Sequence, residues 1–244
     1  MKHKNIGTVK GLGDIYQVSG PLDQQLLAFA DEGIHTLAAP DEVAQIRLAG
    51  VSKNYSRTSM APIVLKSEKT ILVRDSILMN LLMAAAVRAH ASKKYFETDR
   101  KFYETAEAIA KSQESMAPED RRALIVSKRG DFILTPEMPE SRFILRKQTK
   151  PYFDKLTNGT MEFYNILGYP DSQVILNCMW FGSPRSYSSL DCRRKGLDSD
   201  GRAFGVLRTA ESSAKNIGAS DYYTPADILR FNNIMKNLEE YLRR

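Results

Sequence analysis

The sequence predicts a helix-rich α+β fold, with short hairpins near the N-terminus and a small sheet in the C-terminal third. Three observations carry this reading. Helix-start chemistry recurs along the chain, at Ser19-Gly20-Pro21, Pro40-Asp41-Glu42, Met116-Ala117-Pro118 and Thr224-Pro225-Ala226-Asp227. The stretch Ile77 to Ala89 is apolar on nearly all sides, as in a helix at the centre of a domain. Short β-rich runs bounded by turn residues account for the strands.

The elements follow in order. Ile6–Val9 and Ile15–Val18 read as strands around the turn Gly11-Leu12-Gly13-Asp14. A helix then carries Leu22, Leu26, Phe29, Ala30 and Leu37 near helical spacing. Pro40 opens the next one, with Asp41 and Glu42 beside its positive dipole end and Gly50 closing it. Pro62–Lys66 and Thr70–Arg74 form a predicted hairpin around Ser67-Glu68-Lys69. Asp75 caps the long apolar helix, whose extension from Lys93 to Lys111 is amphipathic through Phe102, Ala106, Ile109 and Ala110. A short helix to Lys128 and a strand Phe132–Thr135 follow.

After Pro136 and Pro139 the chain reads as extended through Leu145, then helical near Pro151. Val174–Phe181 is a continuous apolar run, expected to be one buried strand. Ala203–Leu207 reads as a strand, and Ile228, Phe231, Ile234, Met235, Leu238 and Leu242 as the buried stripe of a final helix. The proline-rich stretch 135–151 is the expected boundary between a domain 1–135 and a smaller α+β region 151–244, unless one domain runs continuously over 1–244.

Composition bounds the function classes. The 244 residues carry 35 Lys plus Arg against 29 Asp plus Glu, a formal charge of +6, with 43% hydrophobic residues. That apolar content supports a core and excludes a disordered chain. Two cysteines, Cys178 and Cys192, do not make a disulfide framework. No apolar stretch follows the charged start Met1-Lys2-His3-Lys4, and Ile77–Ala89 is too short to span a membrane. A cytoplasmic setting with no membrane association is therefore expected.

Most tests for chemistry are negative. Gly11-Leu12-Gly13 has Tyr16 where a dinucleotide fingerprint places its third glycine, and no phosphate-binding P-loop is present. His3, His35 and His90 are scattered. A calcium loop over Asp191–Arg202 would place Arg193, Lys195 and Arg202 at ligand positions, so no metal or other cofactor is implied. Cys178 lies in an apolar run that keeps a thiol inert, whereas Cys192 stands beside Arg193, Arg194 and Lys195, which would activate it.

One enzyme-like pattern remains. The apolar run ends in Phe181-Gly182-Ser183, with Asp191, Asp198 and Asp200 downstream. Strand, Gly-Ser turn and later carboxylates resemble a nucleotidyltransferase active site, which implies triphosphate binding by Gly182-Ser183 and divalent ions at Asp198 and Asp200. The sequence departs from that pattern at Arg193, where a second acid belongs, and at Gly201, where an apolar residue belongs. The competing reading of Asp200-Gly201 is a tight hairpin turn.

Positive charge gathers in two segments. Arg142, Arg146, Lys147, Lys150 and Lys155 alternate with Phe143, Tyr152 and Phe153, and Arg185 precedes Arg193-Arg194-Lys195. Guanidinium forks match phosphate and carboxylate oxygens, and exposed rings stack on unpaired bases. The expected function is thus a non-catalytic basic binding or assembly subunit engaging an anionic partner, nucleic acid or an acidic protein surface, with homo-oligomerisation open. The candidate anion-binding residues are Arg142, Arg146, Lys147, Lys150, Arg185, Arg193, Arg194 and Lys195. The alternative is a metal-dependent nucleotidyl- or phosphotransferase built on Gly182, Ser183, Asp198 and Asp200.

Overall fold

Short apolar runs dominate the architecture, because most of them pair as strands. The computed structural model describes residues 3–34, 37–65, 68–74, 96–98, 100–165, 173–183, 188–192, 197 and 200–208. Its strands are β1 (Lys4–Val9), β2 (Gly13–Gly20), β3 (Ser56–Arg57), β4 (Ala61–Leu65), β5 (Ile71–Val73), β6 (Phe96–Thr98), β7 (Ala123–Ile125), β8 (Phe132–Leu134), β9 (Met161–Tyr164), β10 (Val174–Leu176), β11 (Trp180–Phe181), β12 (Ser189–Asp191) and β13 (Gly201–Leu207). The described helices are α1 (Leu22–Ala30), α2 (Pro40–Leu48), α3 (Arg100–Ser112), α4 (Pro139–Leu145) and α5 (Thr149–Leu156).

The strands form two sheets. One has eight strands in the order β1-β2-β13-β3-β11-β12-β9-β8, and the other has five in the order β6-β10-β4-β5-β7. Pairing is antiparallel except for β12 with β9 and β13 with β3. The helix-rich expectation is therefore corrected: this is a sheet-based fold, and the C-terminal strands belong to both large sheets instead of a small one of their own. Strands from before and after the stretch 135–151 share each sheet.

Several strands are buried on both faces. Along β4, Ala61, Ile63 and Leu65 enter one core with Leu22, Phe29, Tyr103 and Ala106 of α1 and α3. Val64 enters the other, with Val43, Ile46, Phe143, Tyr152 and Phe153 of α2, α4 and α5. In β5 Leu72 and in β13 Phe204 divide from their neighbours in the same way. Strands covered on both sides read as unbroken apolar runs, without the alternation of a half-exposed sheet. Gly205 allows α1 to lie close to β13, since a Cβ there would stand 2.8 Å from the Phe29 ring.

Other elements differ locally from expectation. The run Val174–Phe181 is not one strand: β10 joins the five-stranded sheet, and after Asn177–Met179 the chain enters the eight-stranded sheet as β11. Residues 139–145, expected to be extended, are α4, with Pro139 at its first turn and Met138 extended before it. Residues 118–120 make only a single 3-10 turn, and Ala123–Ile125 pairs with β5 as β7. The predicted helices over 77–89 and 224–242 lie outside the described residues. No helix among the described residues is long and apolar enough to cross a membrane.

Candidate binding site

Two arginines buried in the core shape one end of the eight-stranded sheet. Arg57, on β3, is fully buried and lies 4.6 Å from the Trp180 ring centroid. Its Nη1 donates to the Gly20 carbonyl at 3.1 Å and to Gln25 Oε1 at 2.9 Å, and its Nη2 to the Leu197 carbonyl at 3.4 Å. Gln25, also fully buried, donates onward from Nε2 to the Gly201 carbonyl at 2.6 Å. Leu22 N reaches the Leu197 carbonyl at 2.9 Å. Asn177 Nδ2 donates to the Cys192 carbonyl at 3.0 Å, while its Oδ1 accepts from Cys178 N.

The second arginine acts similarly on a neighbouring loop. Arg47 of α2 donates to the Asn54 carbonyl at 2.7 Å, the Phe181 carbonyl at 3.0 Å and the Tyr152 hydroxyl at 2.9 Å. Its guanidinium lies 4.3 Å from the Phe181 ring centroid, and burial pulls its pKa down. Backbone carbonyls at Gly20, Asn54, Cys192, Leu197 and Gly201 are thus held by side chains belonging to the core. Buried donors of this kind are costly to leave unmade, so they fix the chain that accepts from them.

A hollow of about 600 Å³ opens beside this network, lined by Ser19, Gly20, Pro21, Gln24, Tyr55, Asp200, Gly201 and Arg202. Gly20 and Gly201 face each other in the β2–β13 register. Gly201 leaves no room for a side chain, because a Cβ there would stand 2.3 Å from Trp180. The Tyr55 and Trp180 rings are 5.9 Å apart, and the Arg202 guanidinium lies 5.7 Å from the Tyr55 ring. Among the described residues no ion pair joins Asp200 to Arg202.

The residues singled out from sequence fare unequally. Arg142 is exposed and paired with Glu119 at 2.8 Å, and Lys150 with Asp154 at 3.2 Å. The Arg142–Glu119 contact holds that carboxyl below its usual range. Arg146 and Lys147 are exposed in the turn between α4 and α5. Phe143, Tyr152 and Phe153 are buried in the core, where their rings cannot stack on bases. Arg185, Arg193, Arg194, Lys195 and Asp198 lie outside the described residues.

Gly182 N donates to the Ser189 carbonyl at 2.7 Å, and Ser183 Oγ to the Lys53 carbonyl at 3.1 Å. Asp200-Gly201 is not a hairpin turn: Gly201 begins β13, whose sheet neighbours are β2 and β3. Cys178 and Cys192 are both buried, and burial pushes the Cys178 thiol up to about 11. No group of three or more His, Cys, Asp or Glu side chains able to hold a metal ion occurs among the described residues.

Sequence reasoning missed Gln25, Arg47, Arg57 and Asn177, which hold the loops, and Tyr55 and Arg202, which line the hollow. A polar residue within an apolar run was the available signal: Asn177 sits inside Val174–Phe181, and Arg47 follows the buried Ile46.

No family model matches the chain, and no curated protein matches it. Among solved structures, it is similar to a protein from Nanoarchaeota described as accommodating massive sequence variation by the C-type lectin fold. The match has a TM-score of 0.54 at 10% identity and covers 79% of this chain and 96% of that one. Identity at that level speaks to architecture alone, and the two-sheet arrangement described above is accordingly a C-type lectin-like fold.

Proposed function

We propose that the protein is a non-catalytic binding subunit whose loops, carried on the C-type lectin-like framework, engage an acidic protein surface. The observation that carries the reading is the anchoring of loop backbone by core side chains. Asn177 holds the Cys192 carbonyl, Arg57 holds that of Leu197, and Gln25 holds that of Gly201. The loop's own side chains are not needed for those bonds, so they can be given over to recognition. Between two of the anchors the sequence places Arg193, Arg194 and Lys195.

Guanidinium forks favour carboxylate partners, and the excess of positive charge assists encounter with an acidic surface. The solved neighbour is described as accommodating sequence variation on this fold, which agrees with a framework that keeps its shape whatever its loops carry. A reducing, cytoplasmic setting suits the two buried thiols.

The test replaces Arg193, Arg194 and Lys195 together by Ser and measures binding to poly-L-glutamate. The unaltered chain should bind at low salt and release as salt rises, and the triple variant should bind roughly tenfold more weakly at an unchanged melting temperature. Equal binding by both chains, or none by the unaltered chain, refutes the proposal.

A further inference from the structure

We propose that the hollow between the end of β2 and the start of β13 binds a free amino acid. The hollow, about 600 Å³ and open to solvent, has room for a small ligand. Its lining carries one carboxylate, Asp200, and one guanidinium, Arg202, among otherwise uncharged residues. On a chain with a formal charge of +6, this hollow is locally balanced.

The two charges flank Gly201 and line the same hollow, yet they are not spent on each other. Arg202 lies against the Tyr55 ring, and no ion pair joins it to Asp200 among the described residues. Positions two apart along extended chain are about 6–7 Å apart. That backbone spacing sets two oppositely charged side chains beside one another, so a single small molecule carrying an ammonium and a carboxylate can meet both. The ammonium belongs at Asp200, and the ligand carboxylate belongs at the Arg202 fork.

Gln24 and Ser19 supply hydrogen-bonding groups at the wall, and Tyr55 with Pro21 offers apolar contact for a side chain. Beneath them the backbone is preorganised: Arg57 holds the Gly20 carbonyl and Gln25 that of Gly201. Binding therefore costs little reordering of the floor. A ligand with both charges gains a charge-assisted hydrogen bond at each end that a singly charged one cannot, which gives the site its selectivity.

The experiment is a thermal-shift survey of the full chain with each standard amino acid, followed by calorimetric titration of the one giving the largest shift. Its N-acetyl and C-terminal amide forms and a methyl mannoside are titrated alongside. The free amino acid is expected to bind, with either blocked form roughly tenfold weaker or worse. Asp200→Asn should bind the free and N-acetyl forms alike, and Arg202→Gln should bind the free and amide forms alike. Asp200 is exposed, so its variant folds, and circular dichroism verifies this for both. No shift with any amino acid, equal binding of blocked and free forms, unchanged selectivity in both variants, or binding of the mannoside alone would each overturn the proposal.

Discussion

Arg47 carries its charge into the core and satisfies three acceptors there, on a loop, a strand and a helix. Arg47→Ala would strand the Asn54 and Phe181 carbonyls and the Tyr152 hydroxyl, so it should destabilise the fold by about 3 kcal/mol. Denaturant midpoints at constant slope would measure this. Cys178 makes a pH-dependent prediction. Burial raises its pKa from 9.0 to about 11, so an unfolded chain loses the thiol proton before the folded one does. The thiol's contribution to stability is present below pH 9 and is lost progressively as pH rises from 9 to about 11. Urea titrations across that window should show the fall, and Cys178→Ala should flatten it relative to the unaltered chain.

At the scale of elements, α4 ends abruptly because Arg146 adopts φ 49°, the only positive φ at a described residue other than glycine. Arg74 caps the helix, donating to the carbonyls of Phe143 and Ile144 while pairing with Asp41 at 2.8 Å. The positive charge of Arg146 acts against Arg74, which burial already disfavours in its charged form. Arg146→Gly relieves both the backbone strain and the repulsion, so it should stabilise the protein by about 1 kcal/mol, read from thermal melts. By contrast, Arg142→Ala and Lys150→Ala should leave the melting temperature where it is, since exposed ion pairs contribute little.

For the whole molecule, the order of strands decides what can fold alone. β2 pairs along its length with β13, and β4 lies between β5 and β10. A fragment ending at residue 135 lacks β9 to β13 and so exposes the apolar faces that those strands cover. It should give no cooperative melting transition and should expose hydrophobic surface to a dye such as ANS. A cooperative melt of that fragment would show that the first half is an independent domain. In the full chain, the amides of β13 and β2 at the β2–β13 ladder should be among the slowest to exchange.

Local chemistry was legible wherever one short segment contains its own reason. The turn at Gly11–Gly13, the proline start of α2 and the β4–β5 pairing all depend on residues close in sequence. The sequence by itself also determined the charge excess and the basic segments. Only the tertiary structure decided that Ala123–Ile125 is a strand instead of part of a short helix, and that the run Val174–Phe181 divides between two sheets, because the sheet an apolar run joins depends on partners distant in sequence. The binding hollow was illegible for a related reason: Ser19, Tyr55 and Arg202 are brought together by β2–β13 pairing and by β3 beside β13, contacts made across most of the chain. A local pattern fixes conformations that neighbours stabilise, whereas a site assembled by sheet order exists only after the distant strands have paired.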